Sequence, residues 1–410
     1  MHAASDALRQ LVQDIRTQKL RTFLTTFGIV WGTAAVTLLL AFGSGLHKQL
    51  VKTAAGLGDR IVIAWPSRTS LPFEGLGKGR RIRVTEEDLQ AVAKATRGLQ
   101  AISPEYSDNL KIHYGDKTLM ADVSGVTPEF GDLRNLIPQA GGRFFNPRDL
   151  EERRRVVFLG DQIAKDLFGE PNPVGKTLMV LGSPFLVVGI LTPKQQDSSY
   201  KGRDKDLMWI PATTFRSLTG IKFVDNFIYK APSAAGNPAL TEEVRKILAG
   251  RLRFDPKDKE ALQVWDTTEM FAFFDAFMLG FKLFLGIVGS LTLVVGGIGV
   301  SNIMNVVVEE RTREIGIKMA LGARPGFILR QFLIETLALT AVGGATGVGL
   351  AASLCAVFPT LGLTEYVGDP VVSPGVAALA AGLLGVVGLL AGYFPAHDAA
   401  SLDPVVAMKL

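Results

Sequence analysis

Residues 309–335 read EERTREIGIKMALGARPGFILRQFLIE. Glu309, Glu310 and Glu314 crowd the early part. Gly322 ends the helical pattern, as a left-handed C-cap does, and Pro325 suits the first turn of a new helix. The spacing therefore predicts a short helix, a tight turn and a second helix. Ile315, Met319, Ala320 and Leu321 give the first helix an apolar stripe, with Glu310, Arg311, Arg313 and Glu314 around it. Periodicity leaves open whether that stripe lies on lipid or docks a partner.

This basic segment connects two long runs without a charge, Leu283–Val308 and Thr336–Thr364. Two more such runs are Thr22–Leu46 and Val371–Ala396. About 20 apolar residues cross a bilayer as helix, so each run is long enough. Helix is the expected state, because lipid offers unpaired backbone groups no partner. The fold class expected is an α-helical membrane domain with four transmembrane helices plus an α+β extracytoplasmic domain inserted between helices 1 and 2. The organisation read from these runs is a cytoplasmic lead-in at 1–21, spans at 22–46, 276–308, 331–359 and 371–396, an inserted domain at 47–275, a cytoplasmic segment at 309–330, a short outer loop at 360–370 and a tail at 397–410.

Short-segment Lys and Arg set the expected orientation. Arg9, Arg16, Lys19 and Arg21 precede the first span, and Arg311, Arg313, Lys318, Arg324 and Arg330 follow the second. The loop after the third span has Glu365 and Asp369 and no positive residue. Both termini and 309–330 are thus expected in the cytoplasm and the inserted domain outside. The first run is too long for a cleaved signal and reads as a retained anchor. Hydrophobic residues make up 48% of the 410, with mean hydropathy +0.26. A pI near 9.2 fits a cytoplasmic excess of basic residues and calls for no nucleic-acid partner. The single cysteine, Cys355, excludes an intrachain disulfide, and the scattered histidines form no metal spacing.

Strand-like runs in 47–275 include RIVIAW (60–65), RRVVFLG (154–160), KTLMVLG (176–182), PFLVVGIL (184–191), NFIYKA (226–231) and LQVWD (262–266). Helical runs are 85–97, opened by a Thr85/Asp88 capping box, and 239–252. Two polar segments, 66–81 and 192–206, read as mobile loops. From Thr267 the helical pattern continues unbroken into the second span. The stretch GEPNPVGKT (169–177) ends like a phosphate loop, but five residues rather than four separate its first Gly from Gly-Lys-Thr, and two of them are prolines without an N–H. It reads as a turn leading into a strand. Asp108, Asp116, Asp122 and Asp161 show no nucleophile–base or metal spacing, which disfavours an anchored enzyme.

Small residues recur at helix-packing intervals: Gly28 and Gly32, Gly343 and Gly347, Gly388 and Gly392, with Gly286 and Ser290 in the second span. No Asp, Glu, Lys, Arg or His falls inside the four runs, so nothing resembles an ion relay.

Four stretches carry a resemblance: EERTREIGIKMALGARPGFI (309–328), DALRQLVQDIRTQKLRTFLTTFGIVWGTAAV (6–36), RRRVVFLGDQIAKDLFGEPNPVGKTLMV (153–180) and YFPAHDAASLDPVVAMKL (393–410). Taken in their order along the chain, they resemble the MacB/FtsX-type ABC transporter permeases, in the stand-alone form without a fused ATPase. In the last stretch Pro395, Ala396, Ala399, Pro404, Val405 and Ala407 keep the family's places, while His397 stands where a basic residue is frequent. The resemblance implies that 309–324, including Glu310, Arg311, Arg313, Glu314, Ile315, Met319, Ala320, Leu321 and Gly322, couples to an ABC ATPase subunit. It implies a second permease copy or paralogue, often a periplasmic adaptor protein, and a bacterial inner membrane. No cofactor is expected in this chain; ATP and Mg²⁺ belong to the partner ATPase. Export of a drug, peptide or lipid, or mechanical signalling to a partner such as a wall hydrolase, are the two functions implied.

Overall fold

The computed structural model describes residues 19–169, 172–196 and 199–408. Of the lead-in expected at 1–21, residues 1–18 lie outside the described residues. The described residues form two compact units, one within 50–274 and one of 19–49 with 275–408.

The elements follow in chain order. α1 (Lys19–Ala54) leads to β1 (Val62–Pro66), α2 (Glu86–Ala95), β2 (Ala101–Tyr114), β3 (Lys117–Val126), α3 (Glu129–Leu133), β4 (Val156–Leu159) and α4 (Asp161–Phe168). Then come β5 (Thr177–Val180), β6 (Ser183–Ile190), β7 (Met208–Pro211), α5 (Ala212–Thr219), β8 (Asn226–Lys230), α6 (Asn237–Leu252) and β9 (Leu262–Asp266). Last are α7 (Thr267–Glu310), α8 (Thr312–Ala320), α9 (Pro325–Val357), α10 (Pro374–Ala400) and α11 (Pro404–Ala407). α1, α7, α9 and α10 are each long and apolar enough to cross a membrane.

In residues 50–274 the strand pairings close on themselves. β2 pairs with β3, β3 with β7, β7 with β4, β4 with β6, β6 with β5, and β5 again with β2. The start of β2 also pairs with β8, and β1 and β9 continue that antiparallel extension. β1 opens on an apolar run because both faces are buried there: Val62 and Ala64 belong to one core, Ile63 and the preceding Ile61 to another. The Thr85/Asp88 capping box opens α2, with Thr85 Oγ1 accepting the Asp88 N–H and Asp88 Oδ2 accepting the Thr85 N–H.

The β2–β3 hairpin is absent from the strand-like runs of the sequence. Polar Ser107, Asp108, Asn109 and Lys111 hide its alternation, although Gly115-Asp116, with Gly115 at φ 57°, is a two-residue hairpin turn between Tyr114 and Lys117. Among their described residues, both segments read as mobile loops carry bonds to the rest of the fold. In 66–81, Asp258 accepts from the N–H groups of Ser70 and Leu71 at 2.7 and 2.9 Å. In 192–206, Lys194 and Asp204 form an ion pair at 2.7 Å, with Asp204 fully buried. Composition does not reveal these bonds, because the polar groups involved find partners remote in sequence, Asp258 for Ser70 and Arg134 for Asp204.

In the other unit, α1 touches α7 and α9 through glycine. A Cβ on Gly28 would lie 3.5 Å from Gly296 Cα, and one on Gly347 2.7 Å from Val30 O. Gly32 meets Leu293, Gly343 meets Ile29, and Gly388 and Gly392 of α10 meet Thr340 and Thr336 of α9. Such contacts let backbones approach closely where lipid supplies no hydrophobic drive. In α7, Gly286 has no neighbour in reach; Gly289, Gly296 and Gly297 make the close approaches, to Val36, Gly28 and Val387. The expected Gly286/Ser290 face is corrected accordingly.

Candidate functional site

α7 ends at Glu310, and α8 begins two residues later as a separate helix. Gly322, at φ 95°, closes α8: the Gly322 N–H donates to Met319 O and the Ala323 N–H to Lys318 O, at 3.0 Å each. Pro325 then opens α9 at its first position. Helix, left-handed turn and helix thus stand where the residues place them.

Side-chain directions on α8 differ from the sequence reading. Ile315 is 3% exposed and packs inside the helical unit with Met304, Ile328 and Ala399 in one cluster, so it offers no surface. Met319 is half-buried against the same cluster. Arg311 is turned back to α9, with Nη1 3.4 Å from Glu335 Oε1, and both side chains are largely buried. Glu314 and Lys318 pair at 2.8 Å one turn apart along the helix. Glu310, Arg313, Ala320 and Gly322 are exposed. Leu321, at 85%, is the most exposed large apolar side chain among the described residues, and Ile317 is 45% exposed.

A second element completes this surface. Asp403 caps α11, its Oδ1 accepting the Val405 N–H at 2.8 Å, with Pro404 at the first helical position. α11 packs on α8 at Gly316, where a Cβ would come 2.8 Å from Ala407 Cβ, and Ala407 is buried. Its other residues Val405, Val406 and Met408 remain exposed, as does Phe327 on the first turn of α9. Ile317, Leu321, Phe327, Val405, Val406 and Met408 therefore leave apolar area uncovered beside Arg313, Lys318 and Arg324. Ile317 was missed because one position decides which side of a short helix a residue faces. Val405 was legible only as part of a family signature, and Val406 was not singled out.

In the GEPNPVGKT stretch, the described residues 172–177 form a turn that leads into β5. The Gly175 N–H donates to Val187 O and the Lys176 N–H to Pro173 O, both at 2.9 Å, and β5 begins at Thr177. Two donors that a phosphate would need are committed to carbonyls.

Residues 22–247 match the family described as MacB-like periplasmic core domain, and residues 286–404 match FtsX-like permease C-terminal. A protein of Rhodospirillum rubrum named Macrolide export ATP-binding/permease protein MacB is 33% identical over 408 residues, covering 98% of this chain and 60% of that protein. Its namesake in Bdellovibrio bacteriovorus is 30% identical over 404 residues, covering 98% and 61%. The chain thus spans about three-fifths of the curated relatives it matches. Among solved structures, the extracellular domain of the noncanonic ABC-type transporter YknZ from Gram-positive bacteria is 19% identical at TM-score 0.41, covering 50% of this chain and 100% of that one. The periplasmic region of MacB from Actinobacillus actinomycetemcomitans is 16% identical at TM-score 0.43, covering 55% and 97%.

Proposed function

Because the chain belongs to the MacB/FtsX-type permease family, we propose that it is the permease subunit of an ABC transporter driven by a separate ATPase subunit. ATP and Mg²⁺ are bound by that partner, two permease chains assemble, and both termini with 309–330 face the cytoplasm. ATP binding draws the two α8–α11 surfaces together, and movement of the bundle drives the inserted domain on the outer side. The work done there is export of a drug, peptide or lipid, in line with the export named for the relatives.

The observation that carries this reading is the exposed apolar surface of α8 and α11. Large apolar side chains left uncovered mark a contact. Arg313, Lys318 and Arg324 beside them make the hydrocarbon layer an expensive setting. The four charge-free runs give a hydrophilic cargo no polar path, which fits work done outside the lipid. That same feature supports the second reading, in which the inserted domain regulates an extracytoplasmic partner without transport.

Leu321→Arg tests the docking surface. ATPase subunit retained by the wild-type chain on affinity capture is expected to fall by about tenfold, the loss of one apolar anchor at an interface. Undiminished capture removes the assignment. An adaptor or a wall hydrolase recovered with the full complex separates export from signalling.

A further inference from the structure

The chain leaves α1 through Ala55-Gly56-Leu57-Gly58. This short run is seated on backbone. A Cβ on Gly56 would lie 2.2 Å from Gln195 O, and one on Gly58 2.4 Å from Leu133 O. Gly58 also has φ +139°, a region that side-chain-bearing residues avoid. Between the two glycines Leu57 is completely buried, and its carbonyl oxygen accepts from Arg134 Nε at 2.7 Å.

Arg134 is 3% exposed and spends its planar fork in three directions. Nε holds Leu57, Nη1 donates to the Tyr200 hydroxyl, and Nη2 reaches Asp204 Oδ1 at 2.6 Å. The guanidinium carbon stands 4.7 Å over the Tyr200 ring. Tyr200 donates in turn to Glu105 Oε2, which also accepts from Asn226 Nδ2 at 2.7 Å. Glu105 Oε1 accepts from Ser124 Oγ at 2.9 Å and pairs with Lys201 at 3.2 Å. Glu105 occupies the residue of β2 opposite both Val126 of β3 and Asn226 of β8. That is the junction of the closed strand ring with its antiparallel extension. One chain of charge-assisted bonds thus runs from the exit of α1 to the centre of the sheet.

Buried ion networks seldom add net stability over an apolar core, although removing one partner is strongly destabilising. Their directional geometry fixes one arrangement. We propose that Arg134 is a positioning residue of the coupling step: it locks the exit of α1 to the sheet, so that displacement of α1 becomes displacement of the inserted domain. This rests on the functional reading above.

The test uses the full chain with its ATPase subunit in nanodiscs, following deuterium uptake without nucleotide and after trapping with ATP, Mg²⁺ and vanadate, which leaves ADP and vanadate bound. In wild type, nucleotide is expected to change uptake both near residues 50–58 and in β2 and β3. In Arg134→Lys, which keeps the charge but loses the fork, the change near 50–58 persists. The β2–β3 change falls about tenfold, the factor one charge-assisted hydrogen bond sets for a two-state element. ATPase capture and basal hydrolysis stay as in wild type, and wild-type uptake in β2 and β3 without nucleotide separates lost transmission from an unfolded domain. Tyr200→Phe removes only the hydroxyl link and is expected to give an intermediate loss; it stands as the deciding variant where Arg134→Lys fails to fold. A β2–β3 response equal to wild type in the folded variant overturns the role of Arg134. Absence of ATPase capture by the wild-type chain overturns the functional reading and this inference with it.

Discussion

Gly316 of α8 lies against Ala407 of α11, so close that a Cβ on the glycine would come 2.8 Å from the alanine Cβ. The contact joins residues ninety-one positions apart in sequence (407 − 316) and makes one surface from two short helices.

Gly316→Leu is therefore expected to lift α11 away while leaving the four long helices in place. Overpacking of this kind costs roughly 1–3 kcal/mol. ATPase capture should fall although membrane insertion, read by alkaline extraction, is unchanged. Capture equal to wild type would show that α11 has no part in docking.

Within the bundle, Gly347→Ile is expected to destabilise strongly, because its side chain would meet the Val30 carbonyl and Thr33. Gly286→Ile is the control, since nothing lies within 4 Å of its Cβ position. Thermal unfolding in detergent should separate the two by several degrees, the scale of about 1–3 kcal/mol. Equal transition temperatures would contradict the α1–α9 approach described.

The root of α7 makes a third case. Asn237 is fully buried; its Oδ1 accepts the Ala231 N–H, and its Nδ2 donates to Arg60 O and Thr268 Oγ1, at 3.0, 3.0 and 2.9 Å. Thr267, the first residue of α7, donates from N–H and Oγ1 to Ile61 O. Asn237→Leu strands these groups at a cost of about 1–3 kcal/mol each. Amide exchange should rise at 266–272 before it rises in β2. Exchange that stays at the wild-type rate there would deny Asn237 its role.

Acid should act through Glu105 and Asp149. Burial pushes the Glu105 carboxyl up, but Lys201, Arg134 and the bonds from Tyr200 and Asn226 outweigh it and hold it below the usual range. Burial likewise opposes, and Arg143, the Asn146 N–H and Arg154 outweigh, the same shift at Asp149. A carboxyl depressed in the fold contributes stability that is present above its unfolded value, about pH 4, and is lost as pH falls through the folded value. Unfolding of the inserted domain should be insensitive to pH between about 5 and 7 and steepen below about 4. Glu105→Gln should flatten that acid limb; an unchanged limb would remove Glu105 from the account.

Lys176→Ala is expected to leave ATP hydrolysis by the assembled complex unchanged, since the Gly175 and Lys176 N–H groups already serve Val187 and Pro173. A loss of turnover with intact assembly would reopen the phosphate-loop reading.

What depends on near neighbours is legible in the residues: four apolar runs, the unbroken helix from Thr267, the Thr85/Asp88 cap, and the turn at Gly322 followed by Pro325. Each is written within a few residues, through helix length, capping or a left-handed glycine. Tertiary structure alone decided what depends on distant partners. It turned Ile315 inward and Leu321 outward, set α11 on α8, closed the strands into a ring through β2, and drew Arg134, Tyr200 and Glu105 into one buried chain. Burial of a charge is favourable only when a partner arrives in the right geometry, and those partners come from strands and loops remote in sequence, so no local pattern announces them.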